Sequence, residues 1–276
     1  MSTPRVAVVI TFHRDDRFFP LALQSVLSQT RPADEIVVVD DASPAGTNQT
    51  LDGLDSRVRV VRHASNRGAG AARQTGSEVT SSEMICYLDA DDVWLPSKLE
   101  RQLADVANHP ELAAHHVGLV LFRHDGSETS YTAKPARLDL ATQLRRNQAL
   151  PSAYLIRRSA LDAVGGWRTD NAVMEDWDLN IRLMAAGLPV GFLPEALVRF
   201  RRTGHGNLSS RGLRHMTTNL KTVLAHQALY RRELGWRQTL AVMGNVMHHE
   251  GARRGRASGL MLRGVGRLLG HLVAQQ

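Results

Sequence analysis

Apolar and β-branched residues gather into short runs along the first third of the chain, at residues 6–11, 35–40, 58–62 and 84–88. Runs of this length and texture predict buried strands. Between them the apolar spacing lengthens to that of a helix. Phe19, Leu23, Val26 and Leu27 share one helical face, with Asp15 or Asp16 as the cap and Pro32 beyond the end. A second helix is expected from about Gly68 to Glu78, and a third from Pro96, a residue suited to a first turn, to about Asn108. This alternation predicts an α/β chain with a mainly parallel sheet, helices on both faces, and ligands beyond the carboxyl ends of the strands.

After Pro110 the rhythm loosens. Strands are expected near residues 117–123 and 153–157, with a turn at Asp125-Gly126 between them and a short helix over 159–164. Residues 175–186 read as a helix with acids in the first turn, Asp178 and Arg182 spaced for an ion pair, and Gly187 as the stop. Strands at 190–193 and 196–201 follow, and from about Gly212 the pattern is helical, with breaks near Gly235 and over 251–255. No internal repeat interrupts this order.

With 276 residues, 43% of them hydrophobic and 22% charged, the chain is long enough for one large domain with a real core. Its longest wholly apolar runs are far shorter than the roughly 20 residues a membrane helix needs. The first residues lack the basic and apolar regions of a secretory signal, so a cytoplasmic protein is expected. Cys86 is the only cysteine, which excludes intramolecular disulfides and thiolate metal clusters. Charge is lopsided: residues 1–198 hold 20 Lys and Arg against 25 Asp and Glu, whereas residues 199–276 hold 14 against 2. A basic tail of this kind suits phosphate-bearing partners such as anionic lipid or a charged substrate, or is a solvated helical face. Nucleic acid is not expected, because no nucleic-acid motif accompanies the charge.

The densest chemistry lies in Asp89-Ala90-Asp91-Asp92, directly after the run ending at Leu88. Carboxylates crowded at a strand end repel one another and favour a neutralising cation. A hard divalent ion, Mg2+ or Mn2+, held by one or two carboxylates and the phosphates of a nucleotide, meets that need; a turn leading into a helix cap is the other reading. Asp40-Asp41 end a second run and emerge on the same sheet edge, as acceptors for a base or ribose or as an Asx turn through Asp41, Ser43 and Pro44. From Asn66 to Arg73 runs a small-residue stretch whose arginines suit phosphate. It is a poor dinucleotide fingerprint, because Arg73 stands where Gly or Ala belongs, and helix packing explains its alanines as well. Glu175 and Asp176 open a helix, where an acid is a cap or, facing a cleft, a general base; Asp176, one residue inside, is the candidate. His205 follows a basic strand, as a surface residue or a metal ligand.

These pieces have an order: Val8 to Arg14, Ser25 to Thr30, Val39 to Ser43, Asn66 to Arg73, Leu88 to Asp92 with Trp94 and Pro96, Gly165-Gly166-Trp167, then Glu175-Asp176-Trp177. The ordered set resembles the family 2 glycosyltransferases, inverting enzymes of the GT-A fold, over roughly residues 4–210. The resemblance implies a GT-A type, Rossmann-like α/β domain over residues 1–210, its central mostly parallel sheet flanked by helices. Residues 1–110 would form the nucleotide-binding half and 111–210 the acceptor-binding half, with a basic helical C-terminal extension over 211–276. It implies that Thr11 and Asp41 hold the nucleotide base, that Asp89 lies near the ribose, and that Asp91 binds the metal bridging the diphosphate. Phe12, Arg14, Asn66, Arg73 and Ala90 complete the implied nucleotide-sugar site. Asp176, beside Glu175, is implied as the catalytic base, and His205 falls where some members bring a histidine toward the metal. His13 departs from the family, which usually has Asn before the arginine of the first motif.

The implied reaction moves a sugar from a nucleotide-sugar donor, UDP-linked by preference, to an acceptor hydroxyl with Mn2+ or Mg2+. A nicotinamide-dependent oxidoreductase, resting on Gly68, Gly70 and Asp89, and a non-catalytic sugar-nucleotide-binding scaffold are the competing readings. In the tail, Arg253, Arg254, Arg256, Arg263 and Arg267 lie among Leu260, Met261, Leu262, Val265, Leu268 and Leu269. That mixture suits an amphipathic helix on an anionic membrane, packing against the catalytic domain, or a dimer contact.

Overall fold

The structure, a computed structural model, describes residues 3–14, 18–44, 51–123, 127–132, 134–170, 174–202 and 212–254. In chain order the elements are β1 (Val6–Phe12), α1 (Phe19–Leu27), β2 (Glu35–Asp40), β3 (Val58–Arg62), α2 (Ala69–Glu78), β4 (Met84–Asp89), β5 (Val93–Trp94) and α3 (Lys98–Asn108). There follow β6 (Ala114–Arg123), β7 (Glu128–Tyr131), α4 (Leu140–Arg145), β8 (Tyr154–Arg157), α5 (Arg158–Ala163), α6 (Glu175–Ala185), β9 (Val190–Arg202), α7 (Gly212–Ala225) and α8 (Gln227–Arg254).

One sheet in the order β3-β2-β1-β4-β8-β6-β9-β5, with β7 on β6, carries the fold. Its first half is parallel, as expected: β1 pairs with β2 and β4, and β2 with β3. Beyond β4 it is mixed, because β8 runs antiparallel to both β4 and β6 while β6 and β9 are parallel. The apolar run of β1 is covered on both faces. Val6, Val8, Ile10 and Phe12 pack with α1 and α3, whereas Val9 packs with Ala72 of α2 and with Leu179 and Leu183 of α6.

Several expectations need correction. α3 starts at Lys98 with Ser97 at its N-cap, not at Pro96, whose carbonyl accepts from Thr30 N at 2.9 Å. The two strands expected over 190–201 are one, β9, whose ladder with β6 skips from Leu193 to Ala196 opposite Val117 and Gly118. Pro194, lacking an N–H, lies in that skip. Gly235 does interrupt α8, at φ 73°, but the helix continues through Gly251 to Arg254. Gly187 adopts φ 72° after α6, and Asp178 and Arg182 pair at 2.8 Å. α1 has Phe18 at its N-cap, not Asp15 or Asp16; those two residues, the Asp125-Gly126 turn, His205, and Arg256 and the basic and apolar residues after it lie outside the described residues.

The described part of the C-terminal extension does not stand apart. Val223, Tyr230, Leu234 and Val242 share a core cluster with Leu144 of α4 and with Trp177 and Ile181 of α6. Among the described residues no helix is long and apolar enough to cross a membrane.

Candidate active site

Register brings the acid motifs to one edge. Thr11, near the end of β1, lies beside Val39 of β2 on one side and Asp89 of β4 on the other. Its hydroxyl donates to Asp89 Oδ1 at 3.0 Å. Arg73, from the second turn of α2, donates to the same oxygen at 2.7 Å and, through its other terminal nitrogen, to Glu175 Oε1 at 3.0 Å. One guanidinium thus ties the end of β4 to the start of α6, elements far apart along the chain. The Arg73 side chain is only 3% exposed and lies over the Trp167 ring at 5.1 Å. Burial opposes its charge, but Asp89 and Glu175 outweigh burial and hold its pKa above the ordinary guanidinium value.

The close approach of α2 and α6 depends on Gly70, where a Cβ would lie 2.2 Å from the Arg168 carbonyl oxygen. This glycine therefore serves packing, not a dinucleotide loop. Gly166, at φ 73°, likewise admits Gln74, whose Oε1 accepts from Trp167 N at 2.8 Å.

The three carboxylates after β4 do not share one environment. Asp89 and Asp91 are half-buried, whereas Asp92 is fully buried and turned inward. Asp92 accepts from Ser152 Oγ at 2.5 Å and from Arg201 N at 2.9 Å. Burial, then repulsion from Asp91 and Asp89, raises its pKa well above the usual carboxylate range. Ser152 Oγ also accepts from Asp89 N at 3.2 Å, so Asp92 and Ser152 brace the turn that presents Asp89 and Asp91. Arg201 lies over Phe18 and Phe122 at 3.3 and 4.3 Å, and its Nε donates to the Asp91 carbonyl at 3.1 Å.

Asp40 and Asp41 divide their work differently from expectation. The Asx turn is made by Asp40, whose Oδ1 accepts from Ser43 N at 2.8 Å and from Ser43 Oγ at 2.5 Å. Asp41 instead receives the backbone that opens α2: Arg67 N at 2.8 Å on Oδ1 and Gly68 N at 2.7 Å on Oδ2. His63 Nδ1 lies 2.7 Å from Oδ1 as well, and its Nε2 2.9 Å from Thr75 Oγ1. A base binding Asp41 would share oxygens already held by these groups, so the carboxylate shapes the loop at 66–68. His13 joins in: Nδ1 donates to the Asp41 carbonyl at 2.7 Å, which leaves Nε2 to accept from Asn66 Nδ2 at 2.8 Å. The residue that departs from the family pattern is therefore a tie between two loops. Phe12 offers only its backbone, because its ring is buried against Phe19 at 4.9 Å, edge to face. Arg14 is exposed just past β1, and Ala90 is half-buried between Asp89 and Asp91.

Asp176 begins α6 beside Glu175 and is 8% exposed. Trp177 N donates to Oδ1 at 2.7 Å and Asn147 Nδ2 to Oδ2 at 2.8 Å. Burial, then the Glu175 charge, raises its pKa to about 7, against Arg73 and the Trp177 amide, which favour the ionised form. Thr11, Arg73, Asp89, Glu175 and Asp176 thus form one constellation, with Asp91 two residues from Asp89 and Asp41 joined through the loop that opens α2. Sequence reasoning did not single out His63, Asn147 or Ser152. Each sits outside the acid motifs, and its partner is set by the fold rather than by spacing. Among the described residues no three His, Cys, Asp or Glu side chains converge as a metal cage.

Residues 7–164, more than half of the chain, match the family described as Glycosyl transferase family 2. The chain is 26% identical over 231 residues to the amylovoran biosynthesis glycosyltransferase AmsE of Erwinia amylovora, covering 81% of this chain and 83% of that one. It is 24% identical over 239 residues to the putative glycosyltransferase EpsE of Bacillus subtilis, covering 84% of each. The S. aureus TarS 1-349 structure in complex with UDP-GlcNAc superposes with a TM-score of 0.65 at 14% identity, over 98% of this chain and 90% of that one. The shared fold, the acid motifs gathered at one sheet edge and the family match together make this chain a member of glycosyltransferase family 2.

Proposed function

We propose that this glycosyltransferase moves a sugar from a nucleotide-sugar donor, UDP-linked, to an acceptor hydroxyl by one inverting displacement, with Asp176 as general base. The observation that carries this reading is a buried carboxylate at the start of α6, its pKa raised to about 7 by burial and by Glu175, the neighbour that Arg73 ties to Asp89 at the end of β4. A base poised near the working pH transfers protons most effectively. Asp176 would take the proton of the acceptor hydroxyl as that oxygen attacks the anomeric carbon from the face opposite the leaving diphosphate. Asp89, whose Oδ1 receives both Thr11 and Arg73, keeps Oδ2 as an acceptor for a ribose hydroxyl. Support for UDP comes from TarS, whose structures in complex with UDP-GlcNAc and with UDP share this fold.

The donor set also suits a divalent cation. Asp91 offers a hard carboxylate on a turn braced from below, and a site with so few protein ligands is completed by phosphate oxygens and water, as Mg2+ prefers. A bound Mn2+ or Mg2+ would neutralise the charge that grows on the departing diphosphate. His205, expected beside it, lies outside the described residues.

Asp176→Asn is expected to bind UDP like the wild type while kcat falls by roughly 10² to 10⁴. Unchanged turnover would remove Asp176 from this role. Because the base must be ionised, kcat/KM should rise with pH through about 7 in the wild type. Asp91→Ala is expected to abolish the Mn2+-dependent gain in UDP affinity measured by calorimetry. A variant with the same metal dependence would refute the assignment of Asp91. A screen of nucleotide sugars for metal-dependent hydrolysis identifies the donor, and a hit confined to nucleotides other than UDP would overturn that preference.

A further inference from the structure

We propose that Asn147 is a positioning residue for the general base, its carboxamide nitrogen holding Asp176 Oδ2 at 2.8 Å in the orientation and ionisation that proton abstraction requires. This rests on the reading of Asp176 as the base. Asn147 comes from the loop between α4 and β8, outside every motif in the sequence, and its amide orientation is fixed by its surroundings. Its Oδ1 accepts from Gln143 Nε2 at 3.0 Å, Asn180 Nδ2 at 3.1 Å and Ala149 N at 3.4 Å. Three donors converge on that oxygen, so a flipped amide would set its own N–H groups against theirs; the nitrogen must face Asp176.

The supporting groups are themselves held. Gln143 is buried; its Oε1 accepts from Gln148 N at 3.0 Å and its carbonyl from Trp177 Nε1 at 2.6 Å. Asn180, also buried, receives the Tyr154 hydroxyl on Oδ1 and donates to the Asp176 carbonyl at 3.0 Å. The charged and titratable groups around Asp176 are Glu175 on its own helix, Arg73 on α2, Asp89 on β4 and Tyr154 on β8. Among the side chains bonded to its carboxylate, Asn147 is the neutral donor. A donor to a carboxylate favours the ionised form. Loss of that donor leaves a base that is protonated more of the time and held at Oδ1 alone, by Trp177 N.

The test uses the full chain and two readouts. The infrared band of the Asp176 carboxylic acid, assigned by its absence in Asp176→Asn, is titrated in wild type and in Asn147→Leu. The midpoint is expected near 7 in the wild type and about one pH unit higher in the variant. The acid limb of kcat/KM, read with the donor that the screen identifies, should move with it, while UDP affinity stays within about twofold. A purely structural role would lower kcat or the melting temperature without moving the midpoint. If Asn147→Leu does not fold, Asn147→Ala removes the same donor without added bulk, and the same rise in the midpoint and the acid limb is expected. An inactive Asp176→Asn beside an unmoved midpoint and limb would end this assignment alone. Full turnover by Asp176→Asn would end the base reading and this assignment together.

Discussion

Gly70 marks the spot where the absence of a side chain sets the distance between two halves of the site. A methyl group there would meet the Arg168 carbonyl oxygen at 2.2 Å and Glu175 Cβ at 3.2 Å, neither of which can swing away. Gly70→Ala is therefore expected to lower stability by about 1 to 3 kcal/mol, as overpacking does. That is a fall of several degrees in melting temperature, accompanied by lower kcat as Glu175 moves off Arg73. Equal melting curves for the two proteins would refute the packing argument. At this scale the acid motifs were legible, because a carboxylate that follows an apolar strand must emerge at that strand's end. Which oxygen binds which donor was not. Asp41 and Asp92 look alike in sequence to Asp89 and Asp91, yet both turn inward, Asp41 to Arg67, Gly68 and His63, and Asp92 to Ser152 and Arg201.

Among the elements, α6 does the most, since it carries Glu175 and Asp176 in its first turn and is fixed by contacts one turn further on. Asp178, with a fully buried side chain, bonds Arg182 Nε and His226 Nε2, each at 2.8 Å. Burial works to raise its pKa, but the His226 hydrogen bond and then the Arg182 charge prevail and hold it below the usual value. A carboxylate with a depressed folded pKa stabilises above its unfolded value, near 4, and loses that contribution as pH falls through the folded value. Asp178→Asn is thus expected to melt clearly below the wild type at neutral pH, with the gap closing under acid conditions. A gap that stayed constant with pH would refute the ionic account. Periodicity foresaw this helix, its stop at Gly187 and the pairing of Asp178 with Arg182. It could not foresee β5, two residues long, β7, whose four residues are all exposed, or α4, which buries only Gln143 and Leu144. Nor could it join the two segments of β9, because the sequence at Pro194 reads as a break while the backbone passes it as a bulge.

For the whole molecule, the family resemblance set a boundary near residue 210, and the charge turns basic close to it, from residue 199. The packing does not follow the charge. Thr222 Oγ1 accepts from Met174 N at 2.9 Å, directly before α6, and the Arg145 guanidinium of α4 meets Gln238 of α8. Helical periodicity announced α7 and α8 but not where they dock, since a face of apolar residues does not name the surface that receives it. A chain ending at residue 211 is expected to expose Trp177, Ile181 and Leu144, to melt well below the full protein and to lose turnover, checked by calorimetry and a donor-hydrolysis assay. Normal activity from that shortened chain would separate the two parts after all. Since the same helix that opens with Glu175 and Asp176 rests on His226 and on the apolar residues of α7 and α8, those two helices act as a buttress behind the two carboxylates.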